Sequence, residues 1–131
     1  MTPPSPSLAS TPALTREILV VDDEVLVAQT VGRQLTRLGF RATTCTSPDA
    51  ALALVIAAPS RFVAVIADFG MPGMNGVALA EAIRAHAPDL PILLATGAIE
   101  EEVPASRALA AILCKPYGLA VLSEALALIV T

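Results

Sequence analysis

Ile18-Leu19-Val20-Val21-Asp22-Asp23 is the stretch on which the fold turns: a continuous apolar run, too short for a helix, closed by two acids. A strand with one wet face alternates apolar and polar residues, so a run without alternation marks a strand covered on both faces. The same design returns at Val63–Ala67 before Asp68, at Ile92–Ala95 before Thr96, and at Ile112–Cys114 before Lys115. Arg41–Thr46 is more polar and reads as an edge strand. Helical patterns fill the gaps. Val27, Val31, Leu35 and Leu38 recur at helical spacing, and Gly39 is placed to stop that helix. Ser47-Pro48 is a cap followed by a first-turn proline, opening a helix through Ala57. A third helix is expected from about Asn75 to Ala87, and a last one from Leu119 through Ile129. Strands alternating with helices imply right-handed crossovers, hence a doubly wound α/β domain with a five-stranded parallel sheet and helices on both faces.

Composition narrows the function. With 131 residues the chain is expected to hold one domain, Arg16 to Thr131, preceded by an uncharged Pro- and Ser-rich segment, residues 1–15, expected to be a disordered tail. A net charge of −4 and 3% aromatic residues speak against nucleic-acid binding, which needs basic surface and stacking platforms. No apolar stretch reaches the ~18–20 residues of a membrane span, and no secretory signal opens the chain. A cytoplasmic protein is expected. Cys45 and Cys114 are too few for a disulfide scaffold, and each sits in an apolar run where a small buried thiol is the default.

The polar residues that close the apolar runs carry the chemistry. In an open parallel sheet the carboxyl ends of all strands lie along one edge, so Asp22, Asp23, Asp68, Thr96 and Lys115 converge on a single crevice. Each alone could cap a helix or begin a turn. Their joint occurrence, three carboxylates with a hydroxyl and an amine, points to a site. Three carboxylates at close quarters repel, and a divalent cation relieves the conflict. Hard oxygen ligands without a His or Cys pattern favour Mg²⁺ over Zn²⁺. A carboxylate beside such a cation and a lysine can attack a phosphoryl group to form an acyl phosphate.

In order and spacing, Ile18–Glu24, Asp68-Phe69-Gly70-Met71-Pro72-Gly73-Met74-Asn75-Gly76, Thr96-Gly97 and Lys115-Pro116-Tyr117 resemble the receiver domains of bacterial two-component response regulators, the CheY-like family. The resemblance runs from about Glu17 to the C-terminus. It implies a flavodoxin-like sheet of order 2-1-3-4-5 and a phosphorelay role, with Asp68 as phosphoacceptor from a sensor histidine kinase or phosphotransfer protein. It further implies that Asp23, Asp68 and the Gly70 carbonyl hold Mg²⁺, with Asp22 acting mainly through water. Lys115 and Thr96 would engage the phosphoryl oxygens, and the Lys115-Pro116 peptide would be cis. Output would pass to an unidentified protein target, since a stand-alone receiver is expected: the chain has no room for an effector domain.

Two departures from the family pattern stand out. The position three before the lysine is commonly aromatic and here is Ile112, so the usual aromatic switch is missing. Thr96 and Lys115 are only 19 residues apart, and Pro104 interrupts the segment between them, which predicts a shortened fourth helix from Pro104 to Leu109, about 9 Å long. Two other functions compete with this one. A Mg²⁺-dependent aspartyl-nucleophile phosphohydrolase needs a second Asp two positions after the first; here Glu24 stands at that place and no cap domain encloses a substrate. A receiver-like binding scaffold that takes no phosphate is at odds with the full set of acids, hydroxyl and amine. The expected role is a phosphoacceptor signalling module, not an enzyme.

Overall fold

The computed structural model describes residues 16–97 and 106–130. The expected tail, residues 1–15, lies outside them. Five parallel strands, β1 (Glu17–Val21), β2 (Arg41–Cys45), β3 (Ala64–Asp68), β4 (Ile92–Thr96) and β5 (Ala111–Cys114), pair in the order β2-β1-β3-β4-β5. Among the described residues, four helices lie against them: α1 (Val25–Arg37), α2 (Pro48–Ala57), α3 (Gly76–His86) and α4 (Leu119–Ile129). β1, β3 and β4 are buried along their whole length, as unbroken apolar runs require.

Alternate side chains of these strands divide the interior in two. Leu19, Val21, Val65, Ala67 and Ile92 face α2 and α3, whose Val55, Leu79 and Ile83 close that side. Ile18, Val20, Ile66, Leu93 and Leu113 face α1 and α4, closed by Val31, Leu35, Leu122 and Leu126. The stripe on α1 is Ala28, Val31, Gly32 and Leu35, with Val27 and Leu38 only half-buried, so the expected row is rotated slightly. Gly39 follows that helix with φ 94°, a left-handed conformation that suits glycine.

The expectations that fail lie mostly near β5. Pro104, which begins the expected fourth helix, and Ala105 lie outside the described residues; from Ser106 the chain makes a turn, with Leu109 N donating to Ser106 O at 3.3 Å, and no helix. β5 is not covered on both faces: Leu113 is buried, whereas Ile112 is 49% exposed and Cys114 is also exposed. The physical reason is one-sided cover. Leu113 points to the α1 and α4 side, and Ile112 and Cys114 point to the other side, where no helix among the described residues lies over the strand. Cys114 is therefore no buried thiol, and Cys45 is only partly covered.

Candidate functional site

β1 and β3 end side by side, with Val21 paired to Ala67, so the next residues, Asp22 and Asp68, meet at the carboxyl edge of the sheet. β4 extends to Thr96, and its pairing with Cys114 carries the chain from β5 directly into Lys115. Lys115 N donates to Thr96 O at 2.7 Å, which continues the ladder one step past the strand. The Lys115-Pro116 peptide is cis, as the resemblance implies.

Lys115 is the electrostatic centre of this edge. Its Nζ donates to Asp68 Oδ1 at 2.7 Å and to Asp22 Oδ2 at 2.9 Å. Asp22 is nearly covered, and its other oxygen, Oδ1, accepts from Glu24 N at 2.9 Å, which fixes the turn into α1. Asp23 stands in solvent. One carboxylate oxygen each of Asp22, Asp23 and Asp68 lies within 4.8 Å of the others, close enough to share a cation. Hard oxygen donors of this number suit a small divalent ion that keeps several waters.

The loop after Asp68 is held at both ends. Phe69 N donates to Ala95 O at 2.8 Å, and Gly76 N donates to Phe69 O at 3.1 Å. Between them Gly73 takes φ 83°, and Met71 is buried as packing. Asn75 caps α3, its Oδ1 accepting from Ala78 N at 2.9 Å. Gly70 follows Asp68 by two residues on this exposed stretch. Thr96 is buried at the end of the strand beside β3.

Burial raises the Asp68 carboxyl above its ordinary value, and the charges of Asp22 and Asp23 push the same way; the bond and charge of Lys115 oppose them without prevailing. For Lys115, burial disfavours the ammonium, but the bonds and charges of Asp68 and Asp22 outweigh it and raise its pKa. The conflict expected among three carboxylates is thus present, with desolvation as its main source in place of like charge. The result is a protonated lysine gripping an acid that is costly to keep ionised without further positive charge.

The expected residues Asp22, Asp23, Asp68 and Lys115 therefore meet, and Thr96 ends the adjacent strand. Concavity does not mark the acid cluster. The larger cavity, of about 490 Å³, lies at the opposite, amino edge of the sheet, lined by Phe62, Pro88 and Pro91 among others. A cavity of about 310 Å³ runs from Lys115 along α1 to Gln34. Sequence reasoning missed the main-chain role of Glu24 and the close seating of Gly76, because spacing reports residue type and order but not which main-chain atoms approach.

Comparison with known proteins follows the same lines. A family model described as the response regulator receiver domain matches residues 18–127. Chemotaxis protein CheY-3 of Vibrio cholerae is 34% identical over 115 residues, covering 84% of this chain and 88% of that protein. The two-component response regulator ARR14 of Arabidopsis thaliana is 35% identical over 77 residues; the match takes 59% of this chain but only 20% of the length of that relative. The solved structure of Vibrio cholerae chemotaxis protein CheY4 superposes with a TM-score of 0.76 at 27% identity, covering 88% of this chain and 99% of that one.

Proposed function

The chain belongs to the response regulator receiver domain family, and from that premise we propose that it accepts a phosphoryl group on Asp68 from a phosphohistidine of a sensor kinase or phosphotransfer protein. Receiver domains are signalling modules, and phosphorelay signal transduction is the role that membership assigns. The observation that carries the residue assignment is the double contact of Lys115 Nζ with Asp68 and Asp22 at the edge where Asp23 also stands.

In the transfer, an Asp68 oxygen forms a bond to phosphorus as the P–N bond of the donor breaks, and the imidazole leaves with the electron pair. Lys115 is already 2.7 Å from the accepting carboxylate, so its ammonium can follow the charge onto the phosphoryl oxygens without a long movement. The Thr96 hydroxyl is assigned to the same oxygens after transfer. Asp22, Asp23, Asp68 and the Gly70 carbonyl would hold Mg²⁺, which when bound neutralises charge on the transferring group. Asp22 anchors Lys115 with one oxygen and the α1 turn with the other. Asp22 is the acid that an aspartyl-nucleophile phosphohydrolase on this frame would use, and the engagement of both its oxygens weighs against that reading.

Incubation with acetyl phosphate and Mg²⁺ tests the assignment. The expected result is a base-labile adduct on Asp68 that is absent from Asp68→Asn. Turnover of phosphate esters that survives Asp68→Asn would identify a phosphohydrolase instead, and no reaction of either kind would leave a binding scaffold. Phosphotransfer from candidate sensor kinases would then name the donor.

A further inference from the structure

Gly76 opens α3 and is buried. Its backbone is not in the left-handed region, so the reason for glycine here is room and not dihedral freedom. A methyl group at this position would stand 2.6 Å from the carbonyl oxygen of Asp68 and 3.1 Å from its carbonyl carbon, and would overlap Leu94 Cδ1. Gly32, within α1, differs: a methyl there would meet Thr44 Cγ2 at 3.5 Å and Ala42 Cβ at 3.7 Å, which is ordinary contact.

We propose that Gly76 is a positioning residue for the phosphoacceptor, its missing side chain letting the first turn of α3 seat directly on the main chain of Asp68. The inference rests on the assignment of Asp68 above. Any β-carbon at 76 forces one side to move. The α3 side is anchored by Val77, Leu79, Ala80 and Ile83, all buried, while the Asp68 loop is exposed at Gly70, Pro72 and Gly73. The push falls on the main chain of Asp68 itself, the last residue of β3, and a displacement there shifts its carboxylate against the 2.7 Å contact with Lys115. A shift of about 1 Å at a reacting group is worth on the order of a hundredfold in rate.

The two collisions can be separated. Leu94 is completely buried, so moving its end disturbs the core, and Leu94→Val deletes the colliding carbon. Gly76→Ala with Leu94→Val adds one carbon and removes one, a volume-neutral exchange that the core should accept. It leaves only the collision with the Asp68 carbonyl. The rate of adduct formation from acetyl phosphate, the Mg²⁺ concentration at half-maximal rate and the thermal unfolding of the full chain are measured for each variant. Gly32→Ala and Leu94→Val are expected to keep the unsubstituted rate. The double variant is expected to unfold cooperatively yet form adduct about a hundredfold more slowly and require more Mg²⁺.

A double variant that reacts at the unsubstituted rate overturns the proposal. So does one that fails to fold while Leu94→Val folds, since the contact would then serve the core and not the acceptor. A Leu94→Val variant as slow as the double one would move the role to Leu94 and have the same consequence. Absence of adduct from the unsubstituted chain would sink the assignment of Asp68 itself, and this inference with it.

Discussion

Tyr117, two residues after Lys115, buries its hydroxyl with no hydrogen-bond partner among the described residues. A buried donor without a partner costs about 1–3 kcal/mol relative to one that water can reach. Tyr117→Phe keeps the ring against the α1 and α4 side of the core and removes only that oxygen, so a gain of about 1 kcal/mol is expected in urea denaturation at pH 7. Burial also pushes the ionisation of this phenol up to about 12; the charge of Lys115 opposes the shift, and Asp22 and Asp68 reinforce it. The native state therefore keeps a proton that the unfolded chain releases near pH 10, so this group's contribution to stability is whole below pH 10 and declines between about 10 and 12. As the only tyrosine, it can be followed by ultraviolet absorbance, with a midpoint near 12 in the native protein and near 10 in denaturant. Lys115 and its partners were legible from the sequence because a topological rule gathers strand ends on one edge. The orphaned hydroxyl was not, since it depends on which atoms fail to arrive.

Among the elements, β1, β2 and the approach to β3 are tied together at the amino edge by Glu17. Its carboxylate accepts from Arg61 Nε at 3.2 Å and Nη2 at 3.1 Å, and from the Thr43 hydroxyl, while the Arg61 guanidinium lies 4.9 Å from the centre of the Phe62 ring. The bond from Arg61 holds the Glu17 carboxyl below its ordinary 4.5; burial opposes this, and the Thr43 bond assists it. With a depressed native pKa, the contribution is complete above about 4.5 and is lost as pH falls through the lower native value. Glu17→Gln is accordingly expected to lower the urea midpoint at pH 7, with the difference from the unsubstituted protein shrinking below pH ~4. Equal differences at pH 7 and pH 3 would show that packing, not charge, is the tie. Element boundaries were legible where chemistry punctuates them. Ser47-Pro48 does start α2, with Ser47 Oγ accepting from Ala50 N at 3.1 Å. β5 was misread because an apolar run of three residues states that a strand can be covered, not that a helix lies on each side of it. Ile112 and Cys114 lack that cover on one face.

At the scale of the molecule, the site joins residues from the ends of β1 and β3 with the segment entering α4, so whatever binds there binds the folded chain alone. The unfolded chain spreads Asp22, Asp23 and Asp68 along 47 residues and offers no comparable cluster. Mg²⁺ is therefore expected to stabilise the protein by mass action, by about 2.7 kcal/mol at a hundred times its dissociation constant. The sign is reinforced locally: burial, joined by the neighbouring charges, raises the Asp68 carboxyl and disfavours its ionised form, and a cation among the three acids offsets that penalty. Asp23→Asn separates binding from folding. Asp23 is exposed and pushes the Asp68 carboxyl upward, so the variant should fold at least as stably as the unsubstituted protein without Mg²⁺, yet lose most of the Mg²⁺-dependent rise in melting temperature. Thermal unfolding across a Mg²⁺ titration, with Ca²⁺ as comparison, checks both halves. A full Mg²⁺ response in Asp23→Asn would remove Asp23 from the cation site, and a variant less stable without metal would show that its charge supports the fold instead of opposing it.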